Sequence, residues 1–200
     1  MRIHKVLETT CAEGPGCRFC VWVQGCQQHC DGCFATALWA YDGGTVCSVQ
    51  ELCAQLYAVR DTVCGVTLLG GEPFDQAAEL AEFAAEAHRL GKTVLTFTGY
   101  TYAFLQNGDC AAHHALLDQT DLLIDGKFEQ SLTDYSRPLV GSSNQRFLFL
   151  TDAIPPQEIA AYKNRFEIRT DAAGRVTVNG MGNIEKLKQY TATIEGVQYG

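Results

Sequence analysis

The sequence predicts an α/β fold built on a mostly parallel sheet, and three observations carry that prediction. Apolar, strand-like runs at 63–69, 93–98 and 121–125 alternate with helix-like stretches. The stretch 75–90 places Ala78, Leu80, Ala81, Phe83 and Ala85 on an apolar helical face and ends at Gly91. Two hundred residues with 46% hydrophobic content supply the core of one compact domain. Strands separated by helices imply parallel pairing through right-handed crossovers.

The elements follow in order. Residues 3–8 and 19–24 read as short strands flanking a Gly14-Pro15-Gly16 turn. Leu52 and Leu56, set among good helix formers, mark a helix over 49–60, and 63–69 is the buried strand that follows. Asp75 is the expected N-cap of the helix 75–90, and 93–98 is the next strand. Helical stretches near 102–106 and 113–119 lead to strands at 121–125 and 146–150. The run 127–145 between those strands is too long for a routine connection, and loops of that length are usually functional or mobile. Pro155-Pro156-Gln157 starts a helix to about 164, and 166–170 with 176–179 form a hairpin around Asp171-Ala172-Ala173-Gly174. We expect one domain over 1–183, with 166–179 as its C-terminal hairpin and 184–200 as a tail without an assigned role.

Composition narrows the function classes. A net charge of -8 and a pI near 5.0 leave no basic face for nucleic acid. No apolar run reaches the length of a membrane span, and no basic-then-apolar leader is visible, so a cytoplasmic protein is expected. Ten cysteines in 200 residues fall below the density of disulfide-stapled secreted domains. A metal centre in a reducing compartment fits that usage better.

The densest chemistry lies at 25–34, Gly25-Cys26-Gln27-Gln28-His29-Cys30-Asp31-Gly32-Cys33-Phe34, where Cys26, Cys30 and Cys33 have the spacing C-x3-C-x2-C. Three thiolates so close suit one soft-metal centre, and three is one short of a closed four-ligand shell. A [4Fe-4S] cubane on these cysteines would keep one iron open. Two other readings stand beside it: a zinc site completed by His29, and ordinary packed thiols.

This loop follows a predicted strand directly, and in parallel α/β folds ligands gather at the C-terminal ends of strands. Gly70-Gly71-Glu72-Pro73 follows the strand 63–69 in the same way. Two glycines admit close backbone approach, and Glu72 can accept hydrogen bonds from an ammonium group. The alternative is a plain tight turn with an exposed carboxylate.

The Gly14-Pro15-Gly16 lead-in, the cysteine loop and the Gly70-Gly71-Glu72-Pro73 turn together resemble the radical S-adenosylmethionine (SAM) enzymes. Further matches are Trp22-Val23-Gln24-Gly25-Cys26, Trp39, Thr98-Gly99-Tyr100, Asp125-Gly126 and Gly141-Ser142-Ser143-Asn144-Gln145-Arg146. With these, the chain is most similar to activases of glycyl-radical enzymes of the anaerobic ribonucleotide reductase kind, over residues 3 to about 180. The resemblance implies a partial (β/α)6-type barrel with a [4Fe-4S] cluster at its mouth, held by Cys26, Cys30 and Cys33. It also implies SAM chelating the open iron. Gly70, Gly71 and Glu72 would hold the methionine amino group, Phe34 would lie near the adenine, and Thr98, Asp125, Asn144 and Arg146 would line the rest of the pocket.

Three departures accompany the resemblance. Ala35-Thr36 stands where the family usually shows Asn-Pro, and Lys127 follows Asp125-Gly126 where small activases tend to have Pro. Cys17 and Cys20 form an unexpected C-x2-C, readable as a redox pair, as extra ligands or as packing on a strand. The function implied is reductive cleavage of SAM to a 5′-deoxyadenosyl radical that takes a hydrogen atom from a glycine of a partner enzyme. Flavodoxin or ferredoxin would supply the electron. A radical enzyme acting on a peptide or small molecule, and a non-catalytic iron–sulfur electron-transfer protein, are the competing readings.

Overall fold

The structure is a computed structural model that describes residues 1–182 together with 187, 189, 198 and 199. A seven-stranded sheet carries the fold. Its strands are β1 (Arg2–Thr10), β2 (Arg18–Val23), β3 (Thr45–Val46), β4 (Gly65–Gly70), β5 (Thr93–Phe97), β6 (Leu122–Asp125) and β7 (Arg146–Phe149), in the order β3-β1-β2-β4-β5-β6-β7. Strands β2, β4, β5 and β6 pair in parallel, as expected for the centre of the sheet.

The margins differ from a fully parallel layout. Strand β1 runs antiparallel to β2 because the seven residues between them are too few for a crossover. The connection from β6 to β7 carries no α-helix, so β7 returns antiparallel. That long connection is ordered locally by a 3-10 turn at Gln130–Leu132 and a bridge between Thr133 and Ser142.

Five helices accompany the sheet among the described residues: α1 (Val49–Val59), α2 (Ala77–Arg89), α3 (Tyr102–Asn107), α4 (Ala111–Asp118) and α5 (Pro156–Ala161). Helix α1 starts in a reciprocal box: Ser48 Oγ accepts from the Glu51 N–H, while Glu51 accepts from the Ser48 N–H. Helix α2 buries Ala77, Leu80, Ala81, Phe83, Ala84 and Ala87, so its inward stripe lies one residue to the side of the expected Ala78 and Ala85. These residues join Leu52 and Leu56 of α1 against Val21, Val66 and Leu68 of the sheet, with the Phe19 and Phe83 ring centroids 5.9 Å apart. Strand β2 is buried along its whole length, as a central strand covered on both faces must be.

Asp75 is not the cap of α2. It lies in a 3-10 turn, Pro73–Gln76, that Glu72 caps by accepting from the Phe74 N–H, and Asp75 turns instead to side chains of the cluster loop and its neighbours.

A second sheet joins the far end of the first. The hairpin β8 (Phe166–Thr170) and β9 (Val176–Gly180) matches the expected one and extends it by one residue, and β10 (Gln198–Tyr199) pairs in parallel with β9. Glu167 accepts from Thr10 Oγ1 and from the Cys11 N–H at 2.7 Å each, and Asn179 donates to Thr10 Oγ1 and Glu13. Most of the tail expected at 184–200 lies outside the described residues. Among the described residues, no helix is long and apolar enough to cross a membrane.

Candidate cofactor site

The cluster loop leaves the C-terminal end of β2 and is pinned at its root by backbone bonds. Gly25 N–H donates to Leu38 O and Cys26 N–H to Trp39 O. The buried Gln24 amide donates to Ala37 O and Ala40 O, which fastens the returning segment 36–40 beside the loop. His29 adopts φ 43° and stacks on Trp39, ring centroids 4.5 Å apart. Its ring therefore lies along the indole face.

The Gly70-Gly71-Glu72 turn continues β4 alongside that root. Gly71 N–H donates to Val23 O, and Glu72 N–H donates to Gly25 O at 2.8 Å. A Cβ on Gly71 would stand 2.2 Å from Gly25 O, and one on Gly70, at φ +105°, would stand 2.7 Å from Trp22 Cα. The sequence reading assigned these glycines to close approach of a ligand. The structure shows a nearer cause: the backbone of β2 at Trp22 and Val23 stands against Gly70, and Gly25 O of the cluster loop stands against Gly71.

Glu72 is buried, and its carboxylate joins two turns. It accepts from the Phe74 N–H, from Thr98 Oγ1 at 2.8 Å and from the Gly99 N–H at 2.8 Å. Burial pushes its pKa up to about 7 against the pull of those three donors. Thr98 thus supports Glu72 and also lines the same cavity.

That cavity, of about 160 Å³, is lined by Cys26, Cys30, Cys33, Gly70, Gly71, Glu72 and Thr98, among others. Three segments far apart in sequence converge there. Burial pushes the Cys26 thiol up to about 11 and raises Cys30 as well, so a bound cation is what would convert them to thiolates. Among the described residues, no three His, Cys, Asp or Glu side chains converge closely enough for a single metal ion. A cubane asks for wider spacing, because each thiolate binds a different iron.

A second cavity of about 540 Å³, in the size range of small-molecule sites, shares Gln28, Gly99 and Gly126 with the first and adds Asn144 and Arg146. Among the described residues, Gln28 Nε2 and Asn144 Oδ1 are buried without a hydrogen-bond partner, one a donor and one an acceptor. A polar ligand spanning both cavities would satisfy them, so the residues present fit a cluster with an organic cofactor beside it.

Two expected residues are not among those lining the two cavities. Asp125 is fully buried and accepts from Arg146 through both oxygens, and from the Tyr102 N–H at 2.7 Å. It holds the start of α3 and orients Arg146. Phe34 is 53% exposed. Sequence reasoning missed Asp75, which accepts from Tyr41, from Tyr100 at 2.8 Å and from Gln27 at 3.1 Å, drawing four segments together around the loop. The one signal available was its position three residues beyond Glu72. Lys127, the residue that departs from the usual proline, reaches the cluster loop by donating to Gln28 O at 3.5 Å.

Comparison with known proteins bears directly on this arrangement. The family model described as a 4Fe-4S single cluster domain matches residues 12–148. The anaerobic ribonucleoside-triphosphate reductase-activating protein of Salmonella typhimurium is 31% identical over 153 residues, covering 72% of this chain and 96% of that protein. The chain belongs to this family of activating proteins. The Escherichia coli K12 protein of the same name is 31% identical over 154 residues, with the same coverage. That of Enterobacteria phage T4 is 28% identical over 162 residues, 77% of this chain and 97% of its own. The 4Fe-4S match contains the cluster loop, the Gly70-Gly71-Glu72 turn and Arg146, and it ends before the second sheet.

Proposed function

We propose that this chain cleaves SAM reductively at a [4Fe-4S] cluster and activates an anaerobic ribonucleotide reductase by taking a hydrogen atom from one of its glycines. The observation that carries the reading is the convergence of Cys26, Cys30 and Cys33 with Gly70, Gly71, Glu72 and Thr98 on one cavity. Relatives named as activating proteins match nearly their whole length, which supports the choice of partner.

When bound, the cluster and SAM supply the electron transfer and the 5′-deoxyadenosyl radical. The chain supplies the rest. Cys26, Cys30 and Cys33 would hold three irons and leave the fourth for the methionine amino and carboxylate groups. Gly70, Gly71 and Glu72 would receive the amino group, with Thr98 and the Gly99 N–H keeping the Glu72 carboxylate oriented. Asn144 and Arg146 would border the nucleoside and Phe34 the adenine, while Asp125 acts through Arg146. Residues 1–183 act in this reading as one domain, a partial (β/α)6-type barrel whose mouth is the C-terminal end of β2, β4, β5 and β6, with 184–200 as a tail. The electron comes from flavodoxin or ferredoxin in the cytoplasm.

The test is anaerobic reconstitution followed by electron paramagnetic resonance. The reduced cluster signal is expected to change on adding SAM, and Cys30→Ala to abolish 5′-deoxyadenosine formation. Mixing with the reductase should then yield a glycyl-radical doublet. A signal indifferent to SAM removes the cofactor reading, and 5′-deoxyadenosine without a doublet removes the activase reading.

A further inference from the structure

The end of β2 away from the cluster loop carries a second group of thiols. Strand β2 is six residues long, which separates the two ends by about 20 Å. There the antiparallel ladder of β1 and β2 closes at Thr10 opposite Arg18, so Cys11 and Cys17 are the next residues to face each other. Directly opposed residues of an antiparallel pair hold their Cβ atoms about 4.5–5.5 Å apart, close to the separation a disulfide spans. Their Sγ atoms lie 2.6 Å apart. Both residues are partly exposed, and Gly14 and Gly16, at φ +139° and +71°, turn the short loop that joins them.

We propose that Cys11 and Cys17 form a thiol–disulfide exchange site, oxidised by a small-molecule disulfide and reduced again by the corresponding thiol. Cys11 shares its proton with Cys17, and that hydrogen bond, with burial, pushes its pKa up to about 11. Either sulfur of the pair can open the exchange, and the steps from Cys11 mirror those from Cys17. As a thiolate, Cys17 attacks one sulfur of the disulfide; the S–S bond breaks and the first thiolate leaves and takes up a proton. Cys11 then gives up its proton and attacks the Cys17 mixed disulfide, releasing the second thiol. The two protein thiols lose two electrons and two protons, and the small disulfide becomes two thiols.

The same loop receives the second sheet. Glu167 accepts from the Cys11 N–H, and Tyr162 donates to Cys11 O at 3.1 Å. Residues outside the matched 12–148 region thus hold one half of the pair in place. A third thiol, the exposed Cys64, contacts Cys17 O at 3.2 Å and stands where a Cβ on Gly16 would be. It is the natural competitor for Cys17.

Trypsin cleaves after Lys5 and Arg18, so Cys11 and Cys17 fall together on the peptide from Val6 to Arg18 with no other cysteine. The test equilibrates the whole protein with mixtures of reduced and oxidised glutathione, alkylates remaining thiols and reads that peptide by mass spectrometry. The expected result is conversion from the doubly alkylated peptide to one lighter by two hydrogens, unalkylated, as the oxidised fraction rises. Cys64→Ser keeps that response. Cys11→Ser instead traps glutathione on Cys17, because the resolving sulfur is gone. Full alkylation of both sulfurs at every ratio in the unaltered protein overturns the site, as does a Cys17–Cys64 link in place of the Cys11–Cys17 one.

Discussion

The two ends of the parallel sheet each bury one glutamate, and each uses it to join different parts of the chain. At the cluster end, Glu72 receives the Phe74 and Gly99 N–H groups and the Thr98 hydroxyl, all from turns after β4 and β5. At the other end, Glu13 is buried beneath the second sheet, where Asn179 and the Gly180 N–H reach it from β9. Burial pushes both carboxyls up to about 7. The first joint is made wholly within the region shared with other iron–sulfur domains, and the second depends on residues beyond it. The mouth is therefore assembled without the second sheet, which fastens the opposite end.

The sharpest way to break this contrast is to add one methyl group on each side. Gly71→Ala would drive a Cβ into Gly25 O, a backbone atom that moves only with the cluster loop. We expect a loss of about 3 kcal/mol in stability, together with loss of iron uptake, read by thermal unfolding and iron content. Gly174→Ala in the β8–β9 hairpin meets nothing within 4 Å, so only its φ of +77° opposes the change. It should cost about 1 kcal/mol and leave iron uptake intact; equal effects of the two variants would erase the distinction.

The glutamates themselves give the next effect through pH. A carboxyl whose folded pKa is raised binds its proton more tightly in the folded state, so its contribution to stability is present below about pH 4.5 and is lost as pH rises toward 7. Each group should tilt stability downward across that window by up to about 1.4 kcal/mol per pH unit. Glu13→Gln and Glu72→Gln should each remove one share of the slope, and the double variant both. Denaturant unfolding at several pH values measures it. A slope unchanged in the double variant would mean that neither glutamate carries it.

The smallest expected effect belongs to the second sheet alone. Asn179→Ala removes the donor that Thr10 and Glu13 share. A loss of about 1 kcal/mol is expected, with 5′-deoxyadenosine formation unaltered. A fall in turnover at unchanged stability would show that the two ends communicate.

Much of the fold was legible because its signals are local. Strands β4, β5 and β6 and helix α2 announce themselves by apolar runs and helical periodicity, and the alternation implies their parallel pairing. The antiparallel margins were harder to see. They depend on whether a connection contains a crossover, and the 126–145 segment reveals that only when its 3-10 turn and bridge are known. The site divides similarly. Cysteine spacing and the Gly-Gly-Glu turn lie within short windows, whereas Asp75 draws together Tyr41, Tyr100 and Gln27 from distant segments, and no single-sequence pattern encodes that meeting.

The sequence by itself determined the chemistry available at the mouth: three cysteines at metal spacing, and a glycine pair before a glutamate. Thiol spacing and residue type are covalent facts of the chain. Only the tertiary structure decided why Gly70 and Gly71 are required, which carboxylate faces the cavity, and that the Cys17 sulfur lies against Cys11 rather than Cys20. Those outcomes depend on strand register, which sets Gly71 against Gly25 and Cys11 against Cys17. Register is a property of two strands together, fixed by burial of their shared face and by the turn between them.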